Sequence, residues 1–337
     1  MKILLVFTGG TIGSSIDKGA INTSNNASFL LLELFNQHYA DAHNLQFTTL
    51  QPYYLLSENL APKAWTDLIT ALIAQNLDEY DGIIITHGTD TLSYTAALLG
   101  LYFHNVSKPM LLVSSHQPLT QPHANGLANF ICAVEFIKKI KQAGVYVTYQ
   151  NPGQPMLIHL ATRLMTCLPL SSDFISARQQ AYMHYDNGNF TELTNKNSPH
   201  SRDFRLKAEF SHAVTLIKPY PGLDYRTINL DTVQIVLHDL YHSGTACTSS
   251  TFGKHYQLTE FVQLCQTQHI PVYLAPAYQS EACYQTTLDL QHAGAEILWD
   301  MSIEAAYAKL LLAYGNFYDR QSILQFLSTD IAHEHIF

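Results

Sequence analysis

Short apolar runs recur along this chain, each followed by a segment long enough to be a helix. Residues 3–7, 46–50, 82–86, 110–114 and 145–149 read as strands, and residues 27–40, 61–75, 92–103 and 127–143 as the helices among them. In 61–75, Pro62 opens the segment, and Trp65, Leu68 and Ile69 follow at helical spacing. Strands that alternate with helices fold into parallel α/β sheets. Residues 186–212 are polar and read as a linker, after which a second set begins. Its strands are expected at 213–217, 232–237, 271–275 and 296–299, with helices at 257–268 and 303–314. The expected fold class is α/β with two domains, each a mainly parallel β-sheet flanked by helices: an N-terminal domain at 1–185, a linker at 186–212 and a smaller C-terminal domain at 213–337. A length of 337 residues fits that division.

Composition removes several classes of function. With a formal net charge of -9 and no basic stripe, the chain has nothing to neutralise phosphates, so no nucleic-acid partner is expected. No stretch approaches the roughly 18 apolar residues of a membrane span, so no membrane partner is expected. The run after Lys2 is too short for a secretion signal and reads as a first strand. Cys132, Cys167, Cys247, Cys265 and Cys283 are odd in number and widely spaced, which fits reduced thiols in cytoplasm. His238, Asp239 and His242, and the tail His333-Glu334-His335, match no metal spacing, so no metal is expected.

Two stretches share one shape. Residues 8–13, TGGTIG, follow the first strand, and residues 87–91, HGTDT, follow the strand that contains Ile83-Ile84-Ile85. Each is an apolar strand emptying into a Gly/Thr turn. Ligands of open parallel sheets sit beyond the carboxyl ends of the strands, and adjacent strands would bring Thr11, Thr89 and Asp90 to one cleft. A plainer role for Thr89 or Thr91 is to cap the next helix, worth about 0.5–2 kcal/mol. Two hydroxyl-rich corners in one domain exceed what capping needs. A phosphate loop is disfavoured, because the glycine spacing is wrong and no Lys-Ser/Thr pair follows.

Taken together, TGGTIG and HGTDT resemble the signature motifs of the bacterial-type L-asparaginase/glutaminase family, in its cytoplasmic, type I-like branch. Ser57-Glu58, the stretch Gly126-Leu127-Ala128-Asn129 and residues 214–222, VTLIKPYPG, extend the likeness over most of the chain. The resemblance implies a cytoplasmic amidohydrolase that takes a small amino-acid amide and converts L-asparagine to L-aspartate and ammonia, without a cofactor, as a homodimer or homotetramer. Thr11 would be the nucleophile, with Thr89 and Asp90 in the catalytic corner. Ser57 and Asp90 would hold the substrate's α-carboxylate and α-amino groups, with Glu58 nearby, and the backbone around Gly88, Thr89 and Ser115 would bind and polarise it. A carboxylate such as Asp90 in a desolvated cleft makes charge-assisted hydrogen bonds to an ammonium group. His242-Ser243-Gly244 falls where the family reaches toward a neighbouring subunit's cleft.

The chain departs from the family at two points. A family lysine beside the threonine and aspartate has no counterpart, since no lysine lies between Lys141 and Lys196; Met165 falls at the matching position, with Arg163 two residues earlier. The family's loop tyrosine is matched by Ala20, and the first tyrosine of the chain is Tyr39. Arginine stays protonated and makes no base, and losing a general base costs about 10²–10⁴-fold in rate. Candidate stand-ins are His116, a residue type whose ordinary range lies near neutrality, and Lys18 in the loop. Two alternatives stay open: an impaired or non-hydrolytic homologue that binds an Asn/Asp-like ligand, or an amidohydrolase acting on a larger amide or lysophospholipid-like ester. A transamidosome amidase component shares the resemblance, but the acidic charge and the lack of a further domain ahead of TGGTIG set the expectation against it.

Overall fold

In a computed structural model of the chain, residues 1–17, 20–23, 25–194, 204–211 and 213–336 are described. They fall into two compact units, one of residues 1–208 with 331–333, the other of residues 209–330 with 334–337.

In the first unit the chain runs through β1 (Lys2–Phe7), a small antiparallel pair β2 (Ser14–Asp17) and β3 (Ala20–Thr23), α1 (Asn25–His38), β4 (Gln46–Leu50) and α2 (Pro62–Ile73). It continues through β5 (Gly82–Thr86), α3 (Leu92–Tyr102), β6 (Pro109–Val113), α4 (Gly126–Lys139) and β7 (Gly144–Gln150), then β8 (Met156–Leu160), β9 (Met183–Asp186) and β10 (Asn189–Glu192). The main sheet has the order β10-β9-β8-β7-β6-β5-β1-β4. Strands β4, β1, β5, β6 and β7 are parallel, and β8, β9 and β10 add antiparallel to one edge.

Both faces of this sheet are covered. Ile3, Leu5, Phe7, Ile84, Leu111 and Val113 point into one core with Phe35 of α1 and Phe130 of α4, whose rings meet edge-on at 5.2 Å. The alternating positions Leu4, Val6, Ile83, Ile85 and Leu112 point to the other face and are fully buried too. Burial on both sides is the reason these strands are apolar throughout. The chain leaves β1 toward β4 on one side, then crosses so that β5, β6 and β7 build out on the other. A crevice at the carboxyl ends of β1 and β5 follows from that reversal.

The second unit has one parallel sheet, order β11-β12-β13-β14, from β11 (Val214–Ile217), β12 (Ile235–Asp239), β13 (Val272–Ala277) and β14 (Glu296–Trp299). Its helices are α5 (Leu258–Thr267), α6 (Gln285–His292), α7 (Ile303–Asn316) and α8 (Arg320–Ser328). No helix among the described residues is long and apolar enough to cross a membrane.

The segment 186–212, expected as linker, contains β10. Asn187 and Gly188 take positive φ values of 45° and 83°, and Asp186 faces Asn189 across them. That is a two-residue hairpin of the kind an Asn-Gly pair favours. The polar residues of β10 belong to an exposed sheet edge. The boundary between the units falls at 208/209, and residues 331–333 join the first unit.

Lys309 of α7 is fully buried in the second unit and donates to the carbonyl of Thr329, 2.6 Å away, and to the Glu334 carboxylate. Burial opposes charge on Glu334, but the Lys309 ammonium and a hydrogen bond with Asp330 outweigh it and lower its pKa. Burial, and then the charge of Glu334, push the Asp330 carboxyl up to about 7. Between roughly pH 4 and 7 the folded state therefore binds more protons at Asp330 than the unfolded state does, and this site's contribution to stability falls as pH rises. Asp330→Asn should raise the melting temperature relative to the parent at pH 7.5 and much less at pH 5, in thermal melts at both values.

Candidate active site

The two corners lie side by side. Strand β1 pairs with β5 so that Phe7 sits opposite Thr86, and both chains leave the sheet there. Thr8 Oγ1 donates to the Thr86 carbonyl at 2.6 Å, tying the corners at their base. Gly10, at φ 76°, packs on the backbone of the other corner, so closely that a Cβ would lie 2.2 Å from Gly88 N. Only glycine accepts both that conformation and that approach. Thr11 follows at once, partly exposed, and opens a short 3-10 turn through Gly13.

On the second corner, Thr89 is partly exposed and Asp90 exposed, while His87 and Gly88 are buried. Burial pushes the His87 imidazole down to about 4, so it is neutral near pH 7 and donates to the Gly88 carbonyl at 2.8 Å. Thr91 occupies the N-cap of α3, yet its hydroxyl makes no capping bond and donates instead to the Ser57 carbonyl at 3.0 Å. Capping therefore leaves that hydroxyl unexplained. Ser57, buried, sends its hydroxyl to Asp90 Oδ2 at 2.9 Å and receives the Asp90 N–H at 3.2 Å. Gly88 lies against this serine, where a Cβ would come within 2.4 Å of Ser57 Oγ. Glu58 is exposed on the same turn.

A third loop follows β6, whose end meets the second corner through the bond from His87 N–H to the Val113 carbonyl, 2.9 Å. Ser115 is buried and donates to the Gln117 carbonyl at 2.5 Å. His116 is partly buried, its N–H held by Asn125 Oδ1 at 2.9 Å, and its ring Nδ1 is buried with no hydrogen-bond partner among the described residues. Asn129 ties the Ser114 carbonyl to the N–H of Gln150, at 2.9 Å each, and so fixes where this loop leaves the sheet. Lys18 lies outside the described residues.

The segment after β8 brings residues that motif reading did not single out. Ser93, on the first turn of α3, and Thr166 place their hydroxyls 3.3 Å apart. Burial first, and then the negative fields of Asp173 and Asp90, push the Cys167 thiol up, which places the thiol within electrostatic reach of the second corner. Met165 is 36% exposed. Arg163 is committed elsewhere, with Nε on the His333 carbonyl at 2.6 Å. Nothing local announces these contacts, because single hydroxyls and thiols far along the chain form no motif. Among the described residues no group of three or more His, Cys, Asp or Glu could hold a metal ion.

Hydroxyls and a carboxylate thus stand on two glycine corners at the carboxyl edge of a parallel sheet, the place where ligands of open α/β sheets bind. The family described as "Asparaginase, N-terminal" matches residues 2–195, and the chain belongs to that family. An L-asparaginase of Thermococcus kodakarensis is 27% identical, with 99% of each protein covered. A component of the glutamyl-tRNA(Gln) amidotransferase of Methanococcus maripaludis is 26% identical, covering 99% of this chain and 80% of that protein. The solved thermostable L-asparaginase from Thermococcus kodakarensis superposes with a TM-score of 0.81 at 25% identity, covering 100% of this chain and 99% of that one. L-asparaginase I from Vibrio cholerae gives 0.79 at 22%, with the same coverage, and shares the fold.

Two alanine substitutions at positive-φ glycines separate close approach from backbone strain. Gly10→Ala forces Cβ into the Gly88 backbone and should cost roughly 3 kcal/mol or more. Gly153→Ala, at φ 71° with nothing within 4 Å, should cost only about 1 kcal/mol. Denaturant titration of both variants checks the difference.

Proposed function

We propose that the protein is an L-asparaginase-like amidohydrolase with Thr11 as nucleophile. The observation that carries this reading is the juxtaposition of Thr11 with the Ser57–Asp90 hydrogen-bonded pair across the Gly10–Gly88 contact. Thr11 Oγ attacks the side-chain amide carbon of L-asparagine as its proton passes to a base, and the C–N bond breaks with a proton delivered to the departing ammonia. Water then cleaves the acyl ester, freeing L-aspartate and restoring the Thr11 hydroxyl. Asp90 and Ser57 take the substrate's α-amino and α-carboxylate groups, with Glu58 at the exposed rim. Thr89 and the backbone at Gly88 and Ser115 orient and polarise the amide.

His116 is the base in this scheme. Its support is a place at the same sheet edge, a backbone fixed by Asn125, and a buried Nδ1 with no hydrogen-bond partner among the described residues. The reading extends to a cytoplasmic homodimer or homotetramer without cofactor, in keeping with five free cysteines.

A second reading is favoured by the segment after β8, where an exposed Met165 and the Thr166 hydroxyl stand and no lysine lies between Lys141 and Lys196. On it, the chain keeps a grip on an Asn/Asp-like ligand and has lost efficient hydrolysis. A third, with a larger amide or ester as substrate, predicts turnover at Thr11 that ignores asparagine.

Ammonia release from L-asparagine and L-glutamine decides among them. Thr11→Ala should lower turnover by at least about 10³-fold, and His116→Ala by about 10²–10⁴-fold. Equal rates in parent and Thr11→Ala would sink the nucleophile assignment. Stabilisation by L-aspartate following RT ln(1 + [L]/Kd), without turnover, would favour the binding protein.

A further inference from the structure

One short loop holds both corners. Leu55 sends its N–H to the Thr8 carbonyl at 3.1 Å and accepts the Gly10 N–H at 3.0 Å, an isolated parallel bridge opposite Gly9. Two residues on, Ser57 grips Asp90 by its hydroxyl and Thr91 by its carbonyl. One residue earlier stands Tyr54, half-buried, whose hydroxyl donates to the carbonyl of Gly13. Thr11 lies between these two attachments. Its upstream neighbour is fixed by Leu55, and the end of its turn is fixed by Tyr54. The turn closes on itself through the Gly13 N–H to Gly10 carbonyl bond, 3.0 Å, so a force at Gly13 is transmitted across Thr11. Gly13 is shaped to this phenol. A Cβ there would lie 2.6 Å from Tyr54 Oη, while the ring carbons stand back at 3.3 and 3.4 Å.

The geometry points to Tyr54 as a positioning residue for the nucleophile: its hydroxyl pins the Thr11–Gly13 turn and so sets where the Thr11 hydroxyl stands relative to the second corner. This rests on Thr11 being the nucleophile, as proposed above. Tyr54 acts through the turn and not on the reacting atoms. Its removal should therefore leave substrate binding by Ser57 and Asp90 in place and slow the chemical step. Misplacing a reacting group by a fraction of an ångström is enough to cost rate without costing affinity.

Three variants test it, Tyr54→Phe, Gly13→Ala and the pair, against the parent and Thr11→Ala. Steady-state hydrolysis of L-asparagine and mass-spectrometric amide exchange are measured on the intact chain. Tyr54→Phe should lower kcat about tenfold and leave KM within about twofold. It should also speed exchange across residues 8–14 and leave residues 83–86 unchanged. Gly13→Ala should lower kcat by evicting the phenol, and adding it to Tyr54→Phe should lower kcat no further, because both remove one bond. An unchanged kcat and unchanged exchange in Tyr54→Phe would overturn the assignment, as would losses that simply add in the pair. A rise in KM equal to the fall in kcat/KM would also overturn it. Turnover that survives Thr11→Ala, or is absent from the parent, would instead defeat the nucleophile reading, and the exchange across residues 8–14 then decides alone whether Tyr54 pins the turn.

Discussion

The contact between the Gly10 and Gly88 backbones is the constraint on which the rest of the site depends. Adjacent parallel strands stand about 4.8 Å apart in the hydrogen-bonding direction, and beyond their ends a Cβ on either turn would hold the two backbones apart. Here the absence of a Cβ at both positions lets the turns press together. Thr11, Thr89, Asp90 and Ser57 then fall within one neighbourhood although they come from three separate turns. Leu55 holds the first turn and Ser57 the second, so the loop after β4 fixes the spacing that the glycines permit.

The electrostatics of that neighbourhood are one-sided. Asp90 supplies negative charge that reaches as far as the Cys167 thiol. His87 behind it is neutral by burial, and Arg163 is spent on a backbone carbonyl. In the proposed chemistry this arrangement takes the ammonium end of an amino acid, since a carboxylate held by Ser57 makes charge-assisted hydrogen bonds. It gives less help to a hydroxyl that must lose a proton. In the proposed chemistry that task falls to His116, and the accuracy with which Thr11 is placed matters correspondingly more.

The parallel core is legible in the sequence because its central strands are apolar along most of their length and helix-length segments separate them. Strands expected at 3–7, 46–50 and 82–86 are found at Lys2–Phe7, Gln46–Leu50 and Gly82–Thr86. In the antiparallel edge β8 is the apolar run MLIHL, but the two outer strands carry no such signal. Strand β9 is only MHYD and β10 only NFTE, too short and too polar to stand out, and the Asn187-Gly188 turn between them has the polar character of a linker. Helices α6 and α8 escape sequence reading for a similar reason. QTTLDLQH has two leucines in eight residues, and α8 is announced mainly by the Asp319 cap on Ser322 N–H. The hairpin β2–β3 follows TGGTIG directly, where the sequence pattern suggests only a loop.

By itself the sequence determined the alternating α/β plan, the two glycine corners, and the family to which those corners belong. Strand burial and turn conformation are written locally, in apolar runs and in glycines. Tertiary structure decided which hydroxyls meet. The order β4-β1-β5 placed the first corner against the second and brought Ser57 between Asp90 and Thr91. It also placed Thr166 beside Ser93 and the Tyr54 phenol on the Gly13 carbonyl. None of these pairings has a local signature, because each joins residues more than thirty positions apart, and only the packing of segments distant in sequence makes them neighbours.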